Sequence, residues 1–263
     1  MNAGPDPAAS VPVDVLGVPV ARLRFGDLLA HLDRTLDRAL ASPHGDRPAY
    51  YTYVNAHCAV LAARDPAYRA ALARADVVYA DGIGVVWASR VLGQGCPERI
   101  HIGPAELGAV LDRAADRRAP VFVLGGAPGI ADEVARRQRA RRPDLAIAGT
   151  HHGYFAAGDD VVGAIHASGA DLVLVGLGSP HQELWVARHL GELRVRACWC
   201  IGGLLDQVAG AVPYPPDWVR RNHVQWLYRL AVEPRRLWRR YLVGNPDFIA
   251  RVARQRLRQW RAS

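Results

Sequence analysis

Lysine is absent from this chain of 263 residues; all 33 basic side chains are arginine. Without lysine there is no Gly-x-x-x-x-Gly-Lys-[Ser/Thr] loop, which sets aside the P-loop ATPases. Cysteine is scarce: four residues and no Cys-x-x-Cys pair argue against a disulfide scaffold and a common zinc site. No Asp-x-Asp pair occurs. That common way of holding a divalent ion is missing, so a metal-free reaction with no cofactor is expected. No apolar run approaches the ~18–20 residues of a spanning helix. The start of the chain carries Asp6 and Asp14 and no basic region ahead of an apolar stretch, so no signal peptide and a cytoplasmic setting are expected. Half of the residues are hydrophobic and 22% are charged, which excludes a disordered chain and permits a sizeable core.

The charge is unevenly placed. From Trp218 to Ser263 there are 12 arginines against Glu233 and Asp247, a net of +10, whereas residues 1–217 carry 21 arginines and 23 acids. A near-neutral body with a strongly basic end points to an anionic partner: nucleic acid, anionic lipid or a phosphorylated substrate. In the basic segment Trp218, Trp226, Leu230, Leu237, Trp238, Tyr241, Phe248, Ile249, Val252, Leu257 and Trp260 recur at roughly helical spacing among the arginines. Pro234 and Pro246 punctuate it, which predicts two or three helices. Arginine on one side and Trp and Leu on the other suit an anionic bilayer interface. A solvated face or a nucleic-acid arm would give a similar composition.

Before that segment, apolar runs alternate with amphipathic stretches. Strands are predicted at Val13–Val15, Tyr50–Val54, Val77–Ala80, Val121–Leu124, Leu145–Ala148, Leu172–Leu177 and Ala197–Ile201. Helices are predicted near Asp27–Ala41 and near 56–74, 84–92, 104–118, 130–141, 160–168 and 181–190, with Asp65-Pro66 as a cap and first helical residue. Continuous apolar strands alternating with helices predict an α/β fold, a Rossmann-like parallel sheet with helices on both faces. Three regions follow: a mobile stretch over 1–12, an α/β core over 13–217 and a basic helical appendage over 218–263.

Polar and glycine residues gather where the strands end, which is where open α/β sheets bind ligands. Asn55 closes one strand and Asp81-Gly82-Ile83-Gly84 another. Gly125-Gly126-Ala127-Pro128-Gly129, Gly176-Leu177-Gly178-Ser179-Pro180-His181-Gln182-Glu183 and Gly202-Gly203 with Asp206 follow three more. Gly125–Gly129 either lets backbone N–H groups approach a phosphate or is a tight turn needing positive φ. Asp81 is either a carboxylate able to take a proton from an attacking hydroxyl or a helix cap. Gln182 has the chemistry to bond a sugar hydroxyl, and Glu183 to cap its helix through Ser179 or to sit in solvent. The histidines 57, 101, 151, 152 and 181 form no ligand spacing and read as surface or loop residues, and Cys198 and Cys200 as buried thiols.

Taken in order, these stretches resemble the WecG/TagA/CpsF glycosyltransferases (glycosyltransferase family 26) over roughly residues 13–245. Carrying the resemblance with them are Ala75-Asp76, Ala80–Val86, Glu98-Arg99, Gly153-Tyr154-Phe155, Ala209-Gly210, Trp226–Leu230, Glu233–Arg236 and Arg239–Tyr241. The resemblance implies an inverting transfer of a sugar (N-acetylmannosamine-type, hexose or uronic acid) from a UDP-sugar to a polyprenyl-diphosphate-linked saccharide, in the building of a surface glycopolymer. It implies Asp81 as base, Arg99 near the donor diphosphate, and Asn55 and Gln182 near the transferred sugar. Gly125, Gly126, Tyr154, Gly178 and Asp206 are then donor contacts, with Asp206 near the uracil. Arg229, Arg236 and Arg239 would complete the site or meet the membrane. The enzyme would be peripheral on the inner face of the cell membrane, with no nucleic acid as partner; homo-oligomerisation stays open. Three positions depart from the family pattern: Tyr53 replaces a threonine, Ile100–Glu106 replaces a short Gly-x-Asp step, and Gln225 replaces a glutamate. The rival classes are an NAD(P)-dependent oxidoreductase on the same kind of sheet and an arginine-rich nucleic-acid-binding protein.

Overall fold

The computed structural model describes residues 11–38, 47–93, 95–156, 158–222 and 224–262, and all of their side chains except that of Arg236. Residues 1–10 of the expected mobile stretch lie outside the described residues, and so does the expected end of the first helix at 39–41.

The chain opens with a small antiparallel hairpin, β1 (Val13–Val15) and β2 (Val18–Val20). Leu16 and Gly17 both have positive φ (56° and 84°), as a two-residue hairpin turn requires, and Asp14 accepts the Gly17 N–H at 2.7 Å. The second strand was not predicted, because Pro19 breaks its pattern. Helix α1 (Phe25–Asp37) leads to the main sheet. Its strands are β3 (Ala49–Val54), β4 (Val77–Ala80), β5 (Val121–Gly125), β6 (Ile147–His151), β7 (Leu172–Gly176) and β8 (Ala197–Cys200). All six are parallel, in the order β4-β3-β8-β7-β5-β6, so the predicted α/β class holds.

Strands β4, β5, β7 and β8 are buried at every residue. This is why they read as unbroken apolar runs: helices cover both faces. One face packs against α1, α5 (Pro104–Asp116), α6 (Ile130–Arg141) and α9 (Leu204–Val208). There Tyr51 stacks on Trp199 with ring centroids 4.9 Å apart, and the Trp199 indole N–H donates to Tyr79 Oη at 3.2 Å. The other face packs against α2 (Ala56–Arg64), α3 (Pro66–Ala73), α7 (Val161–Ser168) and α8 (His181–His189). The stretch read as one helix over 56–74 divides at Asp65, whose carboxylate accepts from Ala67 N and Tyr68 N, as the Asp-Pro pair foretold. Strand β6 lies two to three residues beyond its predicted place. It is an edge strand paired only with β5, and its Thr150-His151 end is only partly buried, so it shows no apolar run.

The basic end forms α10 (Asp217–Arg221), α11 (Gln225–Val232), α12 (Pro234–Trp238), one π turn (Arg239–Val243) and α13 (Gly244–Ala262). That is more pieces than the two or three helices expected. Pro246 falls in the first turn of α13, directly after the π turn from which that helix continues. Phe248 and Val252 bury themselves beside α2 and α4 (Ile83–Val91). Among the described residues no helix is long and apolar enough to cross a membrane.

Candidate active site

Chain connections leave β7 and β5 in opposite directions, toward β8 and β6, which makes their carboxyl ends a topological switch point, the place where open α/β sheets form a ligand crevice. The glycines meet there. A Cβ on Gly125 (φ 140°) would stand 2.4 Å from the Gly176 carbonyl oxygen, so no other residue lets the two strand ends close up. Gly126 N donates to that oxygen at 3.4 Å, and Gly153 N donates to Gly126 O at 2.7 Å. The β6 loop, with Tyr154 exposed, is thereby drawn to the same crevice. Around Gly178 (φ 75°) the space is open. Four of the expected donor contacts, Gly125, Gly126, Tyr154 and Gly178, therefore converge. Asp206 lies on α9 beyond β8, partly buried, its carbonyl accepting from Ala211 N and Val212 N.

Asp81 stands at the end of β4, three strand steps away, about 14 Å across the sheet. Its N–H donates to Val54 O at 2.9 Å, which fixes it against β3. It is not a cap: the N-cap of α4 is Gly82, and Asp81 Oδ1 instead pairs with His101 Nδ1 at 3.1 Å. Its other carboxylate oxygen has no protein partner among the described residues. Burial alone would push the Asp81 carboxyl upward, but the His101 hydrogen bond and the charges of His101, Arg99 and Arg240 outweigh it and hold the group below the usual carboxylate range. His101 was read as a bland loop histidine. Its contact with Asp81 spans 20 residues and leaves no trace in spacing. Asn55 flanks the same rim, capping α2 by accepting Cys58 N at 3.1 Å.

Gln182 does not face the rim. It is fully buried; its amide donates to Glu183 Oε1 at 2.7 Å and its carbonyl accepts Gly202 N at 2.9 Å. It therefore positions the Gly202-Gly203 turn rather than touching a sugar. Glu183 is also fully buried and takes Ser179 Oγ at 2.8 Å and Thr52 Oγ1 at 3.2 Å on the same oxygen. Of the two expected readings, the Ser179 pairing is present and the solvated charge is excluded by burial. Burial raises the Glu183 carboxyl above its ordinary value, and its Oε2 has no hydrogen-bond partner among the described residues. Tyr53 fills the space beneath Gly202, where a Cβ would meet its Oη at 2.3 Å.

The basic appendage reaches this rim. Arg99 Nη1 donates to Gln225 Oε1 at 2.6 Å, joining the rim to α11. Phe248 of α13 lies against Gly84, where a Cβ would stand 3.7 Å from its ring. Of the expected tail arginines, Arg229 faces Glu233 at 3.9 Å and Arg239 lies over the Trp238 ring at 5.2 Å. Arg236 is on α12, its side chain outside the description. The tail arginine whose charge acts on Asp81 is their neighbour Arg240, whose buried Nε has no hydrogen-bond partner among the described residues. Burial, helped by the Arg240 charge, also depresses His57 to about 4. Among the described residues no group of three His, Cys, Asp or Glu is placed to hold a metal ion.

Glycine turns at a switch point, with a carboxylate held below its usual range and arginines on the same sheet rim, are equipment for group transfer from an anionic donor. The class is settled by sequence: residues 13–262 match the glycosyl transferase WecG/TagA/CpsF family, and the chain belongs to it. The match runs past the expected limit at 245 and takes in α13. The chain is also 32% identical, over 89% of its length and 90% of the relative's, to the N-acetylglucosaminyldiphosphoundecaprenol N-acetyl-beta-D-mannosaminyltransferase of Bacillus spizizenii.

Proposed function

We propose that this glycosyltransferase moves a sugar from a UDP-sugar onto a polyprenyl-diphosphate-linked saccharide, with inversion and without a metal ion, in the building of a surface glycopolymer. The observation that carries the proposal is Asp81, its carboxyl held below the usual range on the sheet rim, with one oxygen tied to His101 and the other without a hydrogen-bond partner among the described residues. In the proposed arrangement uridine diphosphate occupies the crevice of Gly125, Gly126, Tyr154 and Gly178, with Asp206 near the uracil. The sugar extends toward Asn55 and Asp81, a distance suited to an extended nucleotide diphosphate-sugar. The acceptor hydroxyl gives its proton to Asp81 as its oxygen attacks the anomeric carbon. The bond from that carbon to the β-phosphate oxygen breaks on the opposite face, and the electron pair leaves with UDP. Arg99 and Arg240 balance the charge that grows on the diphosphate, a role worth a few kcal/mol per well-placed donor.

The donor sugar is of N-acetylmannosamine type, a hexose or a uronic acid; the relative, by name an N-acetylmannosaminyltransferase, supports the first. The proposed workplace is the inner face of the cell membrane. Trp218, Leu227, Leu242, Val243, Ile249 and Trp260 are exposed on the appendage amid its arginines, a composition suited to an anionic lipid surface. The test is a panel of UDP-sugars offered with a short-chain polyprenyl-diphosphate-linked N-acetylglucosamine, scored for free UDP and product mass. One UDP-sugar should give a mass increase of one sugar residue with a β-type linkage from an α-linked donor. Retained anomeric configuration, or no UDP released from any donor, would overturn the proposal.

A further inference from the structure

Away from the rim, a cleft of about 820 Å³ opens between the β1–β2 hairpin, the α2–α3 corner and the far half of α13. That is the size of a pocket for a sizeable small ligand, roughly 300–1,000 Å³. Arg69, Arg251, Arg254, Arg258 and Arg261 line it, with Asp14 as the one acid. The acid is already engaged: Asp14 Oδ1 accepts the Gly17 N–H at 2.7 Å and the Gln255 amide at 3.3 Å. Gln255 also donates to Asp14 O and accepts Leu16 N, both at 2.9 Å, so helix and hairpin are tied together at the cleft. Arg251 is bound to Asp247 at 3.0 Å. Arg69, Arg254, Arg258 and Arg261 have no carboxylate partner among the described residues. The body of the chain treats its arginines differently, pairing Arg113 and Arg117 with Asp33 and Arg142 with Asp112, Asp116 and Asp144. Gly17 matters here too, since a Cβ would stand 3.1 Å from Arg69 Cδ and push that side chain out of line.

We infer that this cleft is a second phosphate site, distinct from the donor crevice, that takes a ligand bearing at least two phosphate groups. Four guanidinium groups from α3 and α13, none of them ion-paired among the described residues, outnumber the single Asp14 carboxylate and leave the cleft positive, and guanidinium binds phosphate oxygens in pairs. The arginines stand on two walls, Arg69 on α3 and the others on α13, so a ligand with two phosphate groups can meet each wall with one. The site is separate from the rim: Arg258 is ten residues along α13 from Phe248, about 15 Å of helix. Leu257 lines the cleft and is exposed, giving an apolar edge beside the arginines. The inference does not depend on the donor or the acceptor named above.

The test uses the full chain at low ionic strength with two probes: inorganic pyrophosphate, followed by titration calorimetry, and phosphatidylcholine vesicles carrying cardiolipin, followed by flotation. The double variant Arg254→Gln/Arg258→Gln and the single variant Arg69→Gln, on the opposite wall, should each weaken binding by about tenfold or more. Arg188→Gln/Arg194→Gln, which removes the same charge from an exposed region elsewhere, should leave it within about twofold. A loss seen with pyrophosphate identifies a soluble ligand, and a loss seen only with vesicles identifies a lipid headgroup; both support the site. Equal weakening by the two double variants, binding that survives Arg254→Gln/Arg258→Gln, or no binding of either probe would overturn it. Unchanged melting of each variant excludes misfolding as the cause.

Discussion

Gly202→Ala tests the packing that holds the centre of the site. Gly202 has φ 60°, a conformation that costs a non-glycine residue about 1–2 kcal/mol. The new Cβ would also lie 2.3 Å from Tyr53 Oη, so the phenol or the turn must shift, which adds about 1–3 kcal/mol in a packed site. If the turn shifts, the 2.9 Å bond from Gly202 N to Gln182 goes with it, about 1 kcal/mol more. A total of about 2–6 kcal/mol in a chain of this size lowers Tm by roughly 4–24 °C. Tyr53→Phe then acts as a specific remedy. It removes the oxygen at 2.3 Å and leaves the ring carbon at 3.3 Å as the nearest atom. The double variant should melt above Gly202→Ala by the equivalent of about 1–2 kcal/mol, although Tyr53→Phe alone is neutral or destabilising. The assay is thermal unfolding of the four proteins of the cycle. Gly202→Ala melting within about 2 °C of the parent, or strictly additive effects, would refute the close approach of Tyr53 to the turn.

Three further expectations concern the rim. Removing the partner of Arg99 by Gln225→Ala should lower kcat/KM by about tenfold, the worth of one charged hydrogen bond, with little change in Tm; an unchanged kcat/KM would mean that α11 does not hold Arg99 for the reaction. His57 titrates at about 4, and Arg240→Gln should move its midpoint upward as seen by NMR, though burial keeps it below the ordinary histidine value; no movement would place Arg240 away from the site. Asp81 accepts a proton only when ionised, so activity falls as pH drops through its pKa, which His101 helps to keep low. His101→Ala should therefore shift the acid limb of the kcat/KM profile to higher pH, and a limb that stays or moves down would contradict the pairing.

The sheet could be read from sequence because its strands are buried on both faces, and the glycine clusters marked where they end. Position was lost where that burial stops. Strand β6 lies at an edge and finishes in Thr150 and His151, while β2 is three residues with a proline in the middle. The rim was half readable. Asp81 and Arg99 fall in order along the chain, but the pairing of His101 with Asp81 is a loop contact with no periodicity to reveal it. In the tail the resemblance picks out Arg239; a π turn over Arg239–Val243 changes the phase of the helix there, and its neighbour Arg240 carries charge felt at Asp81. Gln182 looked like a sugar contact because it follows a glycine loop. Only the fold shows that its amide is buried between Glu183 and Gly202.

The central claim is that Asp81 takes the acceptor proton while uridine diphosphate lies in the glycine crevice. Asp81→Asn keeps the shape of the residue and the reach to His101 but removes the basic oxygen. Turnover and UDP affinity measured side by side on this one variant give the most direct test. The account predicts a loss of about 10²-fold or more in kcat with UDP bound as tightly as before. Undiminished turnover would contradict it.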